Sequence, residues 1–404
     1  MIRIGIIGKT NAGKTTLFNS MTLQSAEVSN YPFTTKAANT GVADAETLCV
    51  HKEFGVKDNP KNSKCEEGWR FIPIEVTDLP GLIKGAWMGK GLGNQFLSVA
   101  AQSDALLHVV DASGSVDKDG KVTEPGTGDP IADFADVELE LVLWYTKMFQ
   151  SNLVKIVKSS KLPGADIGTA VAEVMQGIGV KKEHVNFAIS EALLKEKEIE
   201  NWTEKEIQSF CWVLRDVSKP TLIIANKMDL PNAAENFQKL REHYKDLIVV
   251  PTSGEAELSL RRAQSKGWIK YIPGEERFEV LKPQELNDAQ RVALAYIKRK
   301  VFGEYLRTGV QFALNIATFK LLKMNAIYPV ADPEKLTDKS GNVLPDVYLL
   351  PAGSTLDDLA RTVHTDLHKG LLYAVDVRTG LHLPTDYALR DRDVLSIVST
   401  SRRG

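Results

Sequence analysis

Short apolar runs, rich in β-branched residues, recur along the first 275 residues, each closed by a polar or glycine-bearing loop. The first is Ile4-Gly5-Ile6-Ile7. The others are Phe71-Ile72-Pro73-Ile74-Glu75-Val76-Thr77, Ala105-Leu106-Leu107-His108-Val109-Val110, Pro220-Thr221-Leu222-Ile223-Ile224-Ala225 and Leu247-Ile248-Val249-Val250. Runs of this length and composition predict buried strands. Between them the period is helical. Val137, Leu141, Trp144, Tyr145 and Met148 share one helical face, and lysines and glutamates surround Ala170, Val171, Val174 and Met175, then Ile189, Leu193 and Leu194. Residues from about 132 to 218 therefore read as a helical, hairpin-like insertion whose apolar stripe packs internally. Strands alternating with helices predict an α/β fold. Residues 276–325 read as a helical connector, with Val292, Leu294, Ile297 and Val301 as its apolar positions. From about 326 the texture changes to strands at 347–353, 371–375 and 394–398, with a helix opening at Ser354 or Thr355, a small α+β unit. The predicted division is thus 1–275, 276–325 and 326–404.

The chemistry begins directly after the first strand. Gly8 and Gly13 bracket four residues and precede Lys14 and Thr15, the spacing of a phosphate-cradling loop. Glycines let successive N–H groups curl toward an anion, and the helix opening at Thr16-Leu17-Phe18 adds its positive end. Lys14 can reach the outer phosphates and the Thr15 hydroxyl can ligate Mg²⁺. The strand at 71–77 ends in Asp78-Leu79-Pro80-Gly81, a carboxylate for Mg²⁺ and a glycine whose N–H can meet a terminal phosphate. The strand at 220–225 ends in Asn226-Lys227-Met228-Asp229. Asp229 can accept from N1 and the exocyclic amine of guanine, and adenine, lacking N1–H, leaves that acceptor unpaired. Asn226 can meet the purine's other edge or brace the phosphate loop, and the Lys227 stem can cover the base. After the next strand, the backbone N–H groups of Thr252-Ser253-Gly254 can face the guanine O6. Four signals in order on alternating strands and helices predict a guanine-nucleotide-binding phosphate-loop domain.

Other features change the picture less. His108 lies inside an apolar run and reads as a satisfied core histidine. Cys49, His51 and Cys65 are three potential zinc ligands, but without a fourth ligand or a Cys-x-x-Cys pair the stretch 41–70 reads as a solvated insertion instead. Residues 112–131, rich in Gly, Asp, Pro and Thr, read as a boundary loop, and the glycines of 85–93 as a mobile segment that reorders. With 50 basic and 52 acidic residues, net charge −2, no global field advertises nucleic acid. Three cysteines fit a reducing compartment, and neither a membrane-length apolar run nor a signal peptide is expected, which points to the cytoplasm.

Longer strings resemble the Obg superfamily of GTPases, in its archaeal branch related to YchF. They are Asn30-Tyr31-Pro32-Phe33-Thr34-Thr35, Asp78-Leu79-Pro80-Gly81-Leu82 and Gly89-Lys90-Gly91-Leu92-Gly93-Asn94-Gln95-Phe96. The tail is similar to a TGS domain, a ubiquitin-like β-grasp, through Leu356-Asp357-Asp358-Leu359-Ala360 and Val363-His364. The resemblance covers nearly the whole chain. It implies Asn11 to Thr16, with Ala12 and Gly13, around the phosphates, Lys14 and Thr15 on phosphate and Mg²⁺, Thr35 as the switch threonine, and Asp78 and Gly81 at the metal and terminal phosphate. Leu82 stands where many signalling GTPases carry a water-orienting glutamine. An apolar side chain cannot orient water, so slow hydrolysis of GTP to GDP and phosphate is implied. Asn11 resembles the residue that helps hold K⁺ in potassium-activated relatives. The partner class implied is the ribosome or its RNA. YchF carries glutamate at the base-reading aspartate and binds ATP, whereas Asp229 is intact here, so GTP is expected. The alternatives are an ATPase like YchF, or a ribosome- or RNA-binding module gated by nucleotide.

Overall fold

Five apolar runs become strands of one seven-stranded sheet. Its strands are β1 (Arg3–Gly8), β2 (Asn39–Leu48), β3 (Lys64–Glu66), β4 (Trp69–Asp78), β5 (Ala105–Asp111), β6 (Thr221–Asn226) and β7 (Val249–Pro251), in the order β2-β4-β1-β5-β6-β7, with β3 on β4. The computed structural model describes residues 1–24, 38–81, 85–88 and 93–400, apart from the side chains of 93–96. β1 runs parallel to β4 and β5, β5 to β6 and β6 to β7, with Ile6 opposite Asp78 and Asp111 opposite Asn226. Parallel strands buried on both faces need continuous apolar runs, and β5 and β6 are buried throughout. The shared direction delivers the residues that follow each strand to one edge, where open α/β sheets bind ligands.

The helical insertion joins β5 to β6. It opens at Pro130 rather than 132, because the Asp129 carboxylate accepts from the N–H groups of Ile131 (2.9 Å) and Ala132 (3.3 Å) and proline fits the first helical position. The stripe packs, but only part of it internally: Val137 and Leu141 pack with Ile7, Leu79 and Leu106 of the sheet side, whereas Tyr145, Phe149, Val171, Met175, Phe210 and Leu214 share a core. Leu193 does not join it; it sits exposed at positive φ just past the helix Lys182–Glu191. Against the insertion, the His108 Nδ1–H donates to Glu138 at 2.9 Å, and the other Glu138 oxygen lies 2.7 Å from Arg215 Nη2. All three side chains are buried, so His108 is a core histidine as expected, but it is satisfied only at Nδ1: its Nε2 is buried without a hydrogen-bond partner among the described residues.

Lys219 closes the last helix of the insertion, Glu204–Ser218, with its ammonium donating to Ser103 carbonyl at 2.8 Å. Burial pushes its pKa down to about 8. The unfolded chain then holds this proton more tightly than the fold does, so stability rises with pH between about 8 and the lysine range near 10.5. We expect Lys219→Met to stabilise the fold by about 1–2 kcal/mol at pH 7, an advantage that fades across that window in thermal melts.

The chain divides into two compact units, and not at the predicted boundaries. One comprises Arg3–Gly41 and Glu75–Ala313; the other Met1–Ile2, Val42–Ile74 and Leu314–Gly404. The first unit takes in most of the expected connector: Leu294, Ile297 and Val301, spaced for one helical face, pack with Leu260 and Tyr271, while Val292, two residues from Leu294, points to solvent. Its ribbon, β8 (Ile269–Lys270) with β9 (Glu279–Val280), belongs to the same core.

The second unit corrects the reading of 41–70 as a solvated insertion. Its five-stranded sheet has the order β11-β10-β14-β12-β13, from β10 (Met324–Val330), β11 (Tyr348–Pro351), β12 (Leu371–Asp376), β13 (His382–Leu383) and β14 (Val394–Ser399). Helix Leu356–Val363 is capped by Thr355, not Ser354, in a reciprocal box with Asp358, and packs Leu356 and Leu359 on Ile327 and Ile397. Cys49, Val50 and Ile72 share a core with Ala326, Tyr328 and Leu344. Backbone bonds from Asn59 to Val343 (2.8 Å) and Lys61 to Pro345 (2.7 Å) fix the early segment to the late one. The segment is polar in sequence because its apolar side chains are few, yet those few are buried.

Candidate functional site

The phosphate-loop signature is a turn after β1 that feeds the helix Lys14–Thr22. Gly13 sits at φ 97°, and a Cβ there would lie 2.3 Å from Asn226 Nδ2, so this position needs glycine twice over. Asn11 is also left-handed (φ 63°) and donates its amide to the Gly120 carbonyl at 2.9 Å. Thus the 112–131 stretch is more than a boundary: it lies against the loop. Lys14 folds across the loop, its ammonium donating to the Lys9 carbonyl at 2.8 Å. Burial lowers its pKa to about 8, with Asp78 opposing. Lys9 in turn pairs with Asp133 at 2.5 Å. Thr16 stands half-buried in the first helical turn.

Asp78 ends β4 and faces this loop. The Thr15 hydroxyl donates to its Oδ2 at 2.7 Å, while Oδ1 is buried with no hydrogen-bond partner among the described residues. Burial raises the Asp78 pKa; Lys14 and Thr15 pull it back. A hydroxyl and a carboxylate with an unmatched buried oxygen are a donor set suited to a hard divalent cation such as Mg²⁺. Gly81 passes against the loop, where a Cβ would stand 2.4 Å from Thr10 Oγ1. Beyond it, Glu140 accepts from the Gly85 (2.7 Å) and Trp87 (3.1 Å) N–H groups and fixes residues 85–88. Thr35, Leu82 and residues 89–92 lie outside the described residues.

Asn226 takes the bracing role of the two open to it. Its Nδ2 donates to the Ala12 carbonyl at 3.0 Å, and its Oδ1 accepts from the Gly254 N–H at 3.0 Å and the Thr252 hydroxyl at 3.3 Å. One buried amide therefore ties the phosphate loop to the loop after β7. Asp229 lies beside it, half-buried, with the Ser253 hydroxyl donating to its Oδ1 at 2.6 Å and Tyr296 to its carbonyl at 2.7 Å. The expectation that Thr252, Ser253 and Gly254 offer N–H groups to a base is corrected here. They donate to Ala225 (2.8 Å), Thr308 (2.9 Å) and Asn226 respectively, because the loop is locked to β6 and to residue 308. Ser253 reaches the site through its hydroxyl instead.

Lys227 contributes a partner that sequence reasoning missed. At φ 63° it swings its ammonium to Asp111 Oδ2 (2.8 Å) and Ser115 Oγ (3.2 Å), and Asp111 also accepts from both N–H and hydroxyl of Ser113 and Ser115. The signal was available: Asp111 ends the strand adjacent to the one that Asn226 ends.

Comparison with known proteins agrees with this geometry. Three family models match: a 50S ribosome-binding GTPase over residues 3–132, an Obg-like GTPase YGR210-like, G4 motif-containing domain over 224–332, and a TGS domain over 337–399. GTP-binding protein MJ1332 of Methanocaldococcus jannaschii is 41% identical over 402 residues, 100% of each chain. The ribosome-binding ATPase YchF of Bacillus subtilis is 32% identical over 305 residues, 72% of this chain and 74% of its own. A crystal structure of a GTP-binding protein from Pyrococcus horikoshii superposes with TM-score 0.78 at 35% identity, covering 99% of this chain and 100% of that one. Sheet, phosphate loop and tail thus place the chain in the Obg-like, YchF-related family of phosphate-loop nucleoside triphosphatases with a C-terminal TGS domain.

Proposed function

We propose that this chain binds GTP with Mg²⁺ and hydrolyses it slowly to GDP and phosphate, acting in the cytoplasm as a nucleotide-switched factor on the ribosome or its RNA. The observation that carries the guanine reading is the Asp229 carboxylate, steered by Ser253 and set in the same braced frame as the phosphate loop. Lys14 and the N-terminal N–H groups of its helix bind the phosphates. Thr15 and Asp78, with Thr35, hold Mg²⁺, which when bound offsets charge on the outer phosphates. The Gly81 N–H meets the terminal phosphate. Lys227, anchored on Asp111, presents its stem to the base. The ribosomal partner is supported by the names of the matching family model and of the YchF relatives.

Those relatives are called ATPases, so base choice is the point to test. Competition binding and turnover with GTP and ATP, with and without ribosomes, should show preference for GTP and turnover raised by ribosomes. Equal use of ATP would overturn the base-reading argument, and binding without turnover in every condition would leave a nucleotide-gated binding module.

The Gly120 bond holds the Asn11 amide nitrogen and thereby sets the direction of its carbonyl oxygen. K⁺ held with the help of Asn11 would supply positive charge to the phosphates. Turnover in KCl is expected to exceed that in NaCl by roughly ten-fold, and Asn11→Ala to erase the difference. Equal rates in the two salts sink the assignment.

A further inference from the structure

Outside the nucleotide site, four side chains of metal-ligating type meet in the second unit. Cys49 follows β2, His51 opens the short helix His51–Phe54, Asp58 lies on the loop after it, and Cys65 is in β3. One ligand atom from each lies within 4.8 Å of all the others. Cys49 Sγ stands 3.3 Å from Asp58 Oδ2, Cys65 Sγ 3.4 Å from His51 Nδ1, and His51 Nδ1 3.3 Å from Asp58 Oδ2. Bonds of about 2.0–2.3 Å to a tetrahedral ion put such ligand atoms about 3.3–3.8 Å apart. Three of the six edges of such a tetrahedron have these lengths, and the other three are no longer than 4.8 Å. We propose that Cys49, His51, Asp58 and Cys65 form a closed structural zinc site.

The surroundings suit the ion. Cys49 is buried, with Val50, Phe54, Val56, Ile72 and Tyr328 in the same apolar cluster. Behind Asp58 lies Arg70, fully buried, with its Nη1 3.0 Å from the same Oδ2 and its guanidinium over the Tyr328 ring. Two thiolates and one carboxylate carry three negative charges, and a divalent ion with Arg70 carries three positive ones. A neutral set is what an apolar shell tolerates. Binding releases the two thiol protons to solvent, which balances the exchange. Soft sulfur ligands with imidazole select zinc over magnesium or calcium, and four protein ligands leave no open position for chemistry. The loop from Gly55 to Ser63 has no regular structure and few apolar side chains, so a metal staple is a physical way to hold it. The sequence concealed the fourth ligand, because Asp58 stands in no recognised spacing with the cysteines.

The test uses the full-length chain, purified without chelator. About one zinc per chain is expected by elemental analysis, and Cys65→Ser or Asp58→Ala should lower retention about ten-fold or more, while Cys211→Ser, in the other unit, changes nothing. If the site variants fold poorly, the wild-type chain still decides. Stripped of metal and titrated with Co²⁺, it should develop thiolate-to-cobalt charge transfer and the intense d–d bands of a tetrahedral site, discharged by one equivalent of Zn²⁺. Its melting temperature should fall on stripping and recover with Zn²⁺ but not Mg²⁺. A chain purified without zinc that gives no tetrahedral cobalt spectrum overturns the proposal. So does a Cys49–Cys65 disulfide, or full zinc retention by Cys65→Ser.

Discussion

Asp229→Asn should exchange guanine for xanthine as the preferred base. A carboxylate accepts from both N1–H and the 2-amino group of guanine; xanthine keeps N1–H but carries an oxygen at position 2. An amide supplies one acceptor and one donor, which matches xanthine and leaves guanine's amine facing an N–H. Ser253 survives the change, since its hydroxyl can donate to the amide oxygen as it now does to Asp229 Oδ1 at 2.6 Å. Each carboxylate oxygen has two lone pairs, so Oδ1 can serve Ser253 and a base together. Leaving a base donor unpaired in a site built to bond it costs about 10²–10⁴-fold in affinity. GTP affinity is expected to drop by that factor while xanthosine triphosphate gains, as read by competition with a fluorescent nucleotide. Asp229 is half-buried with few structural duties, so melting should barely move. Unchanged GTP affinity would remove Asp229 from base recognition. Asp229→Glu should instead move preference toward adenine.

The largest stability effect is expected at Arg215. Its guanidinium lies between Glu138 and Thr221, bonded at 2.7–2.8 Å to both Glu138 oxygens and at 2.8 Å to the Thr221 hydroxyl. Burial works to raise the Glu138 pKa, and Arg215 with His108 overcomes it, holding the carboxyl below its ordinary value. His108 cannot replace the arginine, because burial lowers its own pKa and keeps the ring neutral. Arg215→Met therefore strands a buried carboxylate, at a cost of about 3–5 kcal/mol. The sign of the pH response should reverse with it. In the native chain Glu138 contributes stability above its unfolded pKa that is lost on acidification. In the variant its pKa is driven up, the fold binds the proton more tightly than the unfolded chain, and mild acid stabilises. Between pH 7 and pH 5.5, above the ordinary glutamate value of 4.5, the native Glu138 contribution should hold constant, whereas the variant should melt higher at pH 5.5 than at pH 7. A loss under about 1 kcal/mol, with no reversal, would mean that water already serves Glu138.

What could be read in the sequence was what is local. A strand, a glycine turn and a helix carry the phosphate loop within a dozen residues, and Asp78 and Asn226 mark strand ends whose apolar runs are unambiguous. The roles inside the site were less legible. Asn226 chose bracing because Gly13 brings the loop within reach, and the N–H groups of 252–254 turned inward because β6 and residue 308 supply their acceptors. Lys227 found Asp111 through strand adjacency, which a linear reading does not display. Longest in range and hardest to see was the packing of 42–74 on the tail: Asn59 meets Val343 across more than 280 positions. Cys49, Val50 and Ile72 are too sparse to announce a core, and Leu294 rather than Val292 faced inward for want of two residues of phase.

That long-range packing has a consequence for biosynthesis. Leu314 follows Ile74 by 240 residues in the chain. At about 5–20 residues per second, a ribosome completes the first half of the second unit on the order of tens of seconds before the other half begins to emerge. During that interval Val50 and Ile72 have no partner core, and the nascent segment is a natural client for chaperones. The four proposed zinc ligands all fall between residues 49 and 65, inside the waiting segment. Metal capture there needs nothing from the tail, so it can shape the segment co-translationally and hold it ready for strands not yet made.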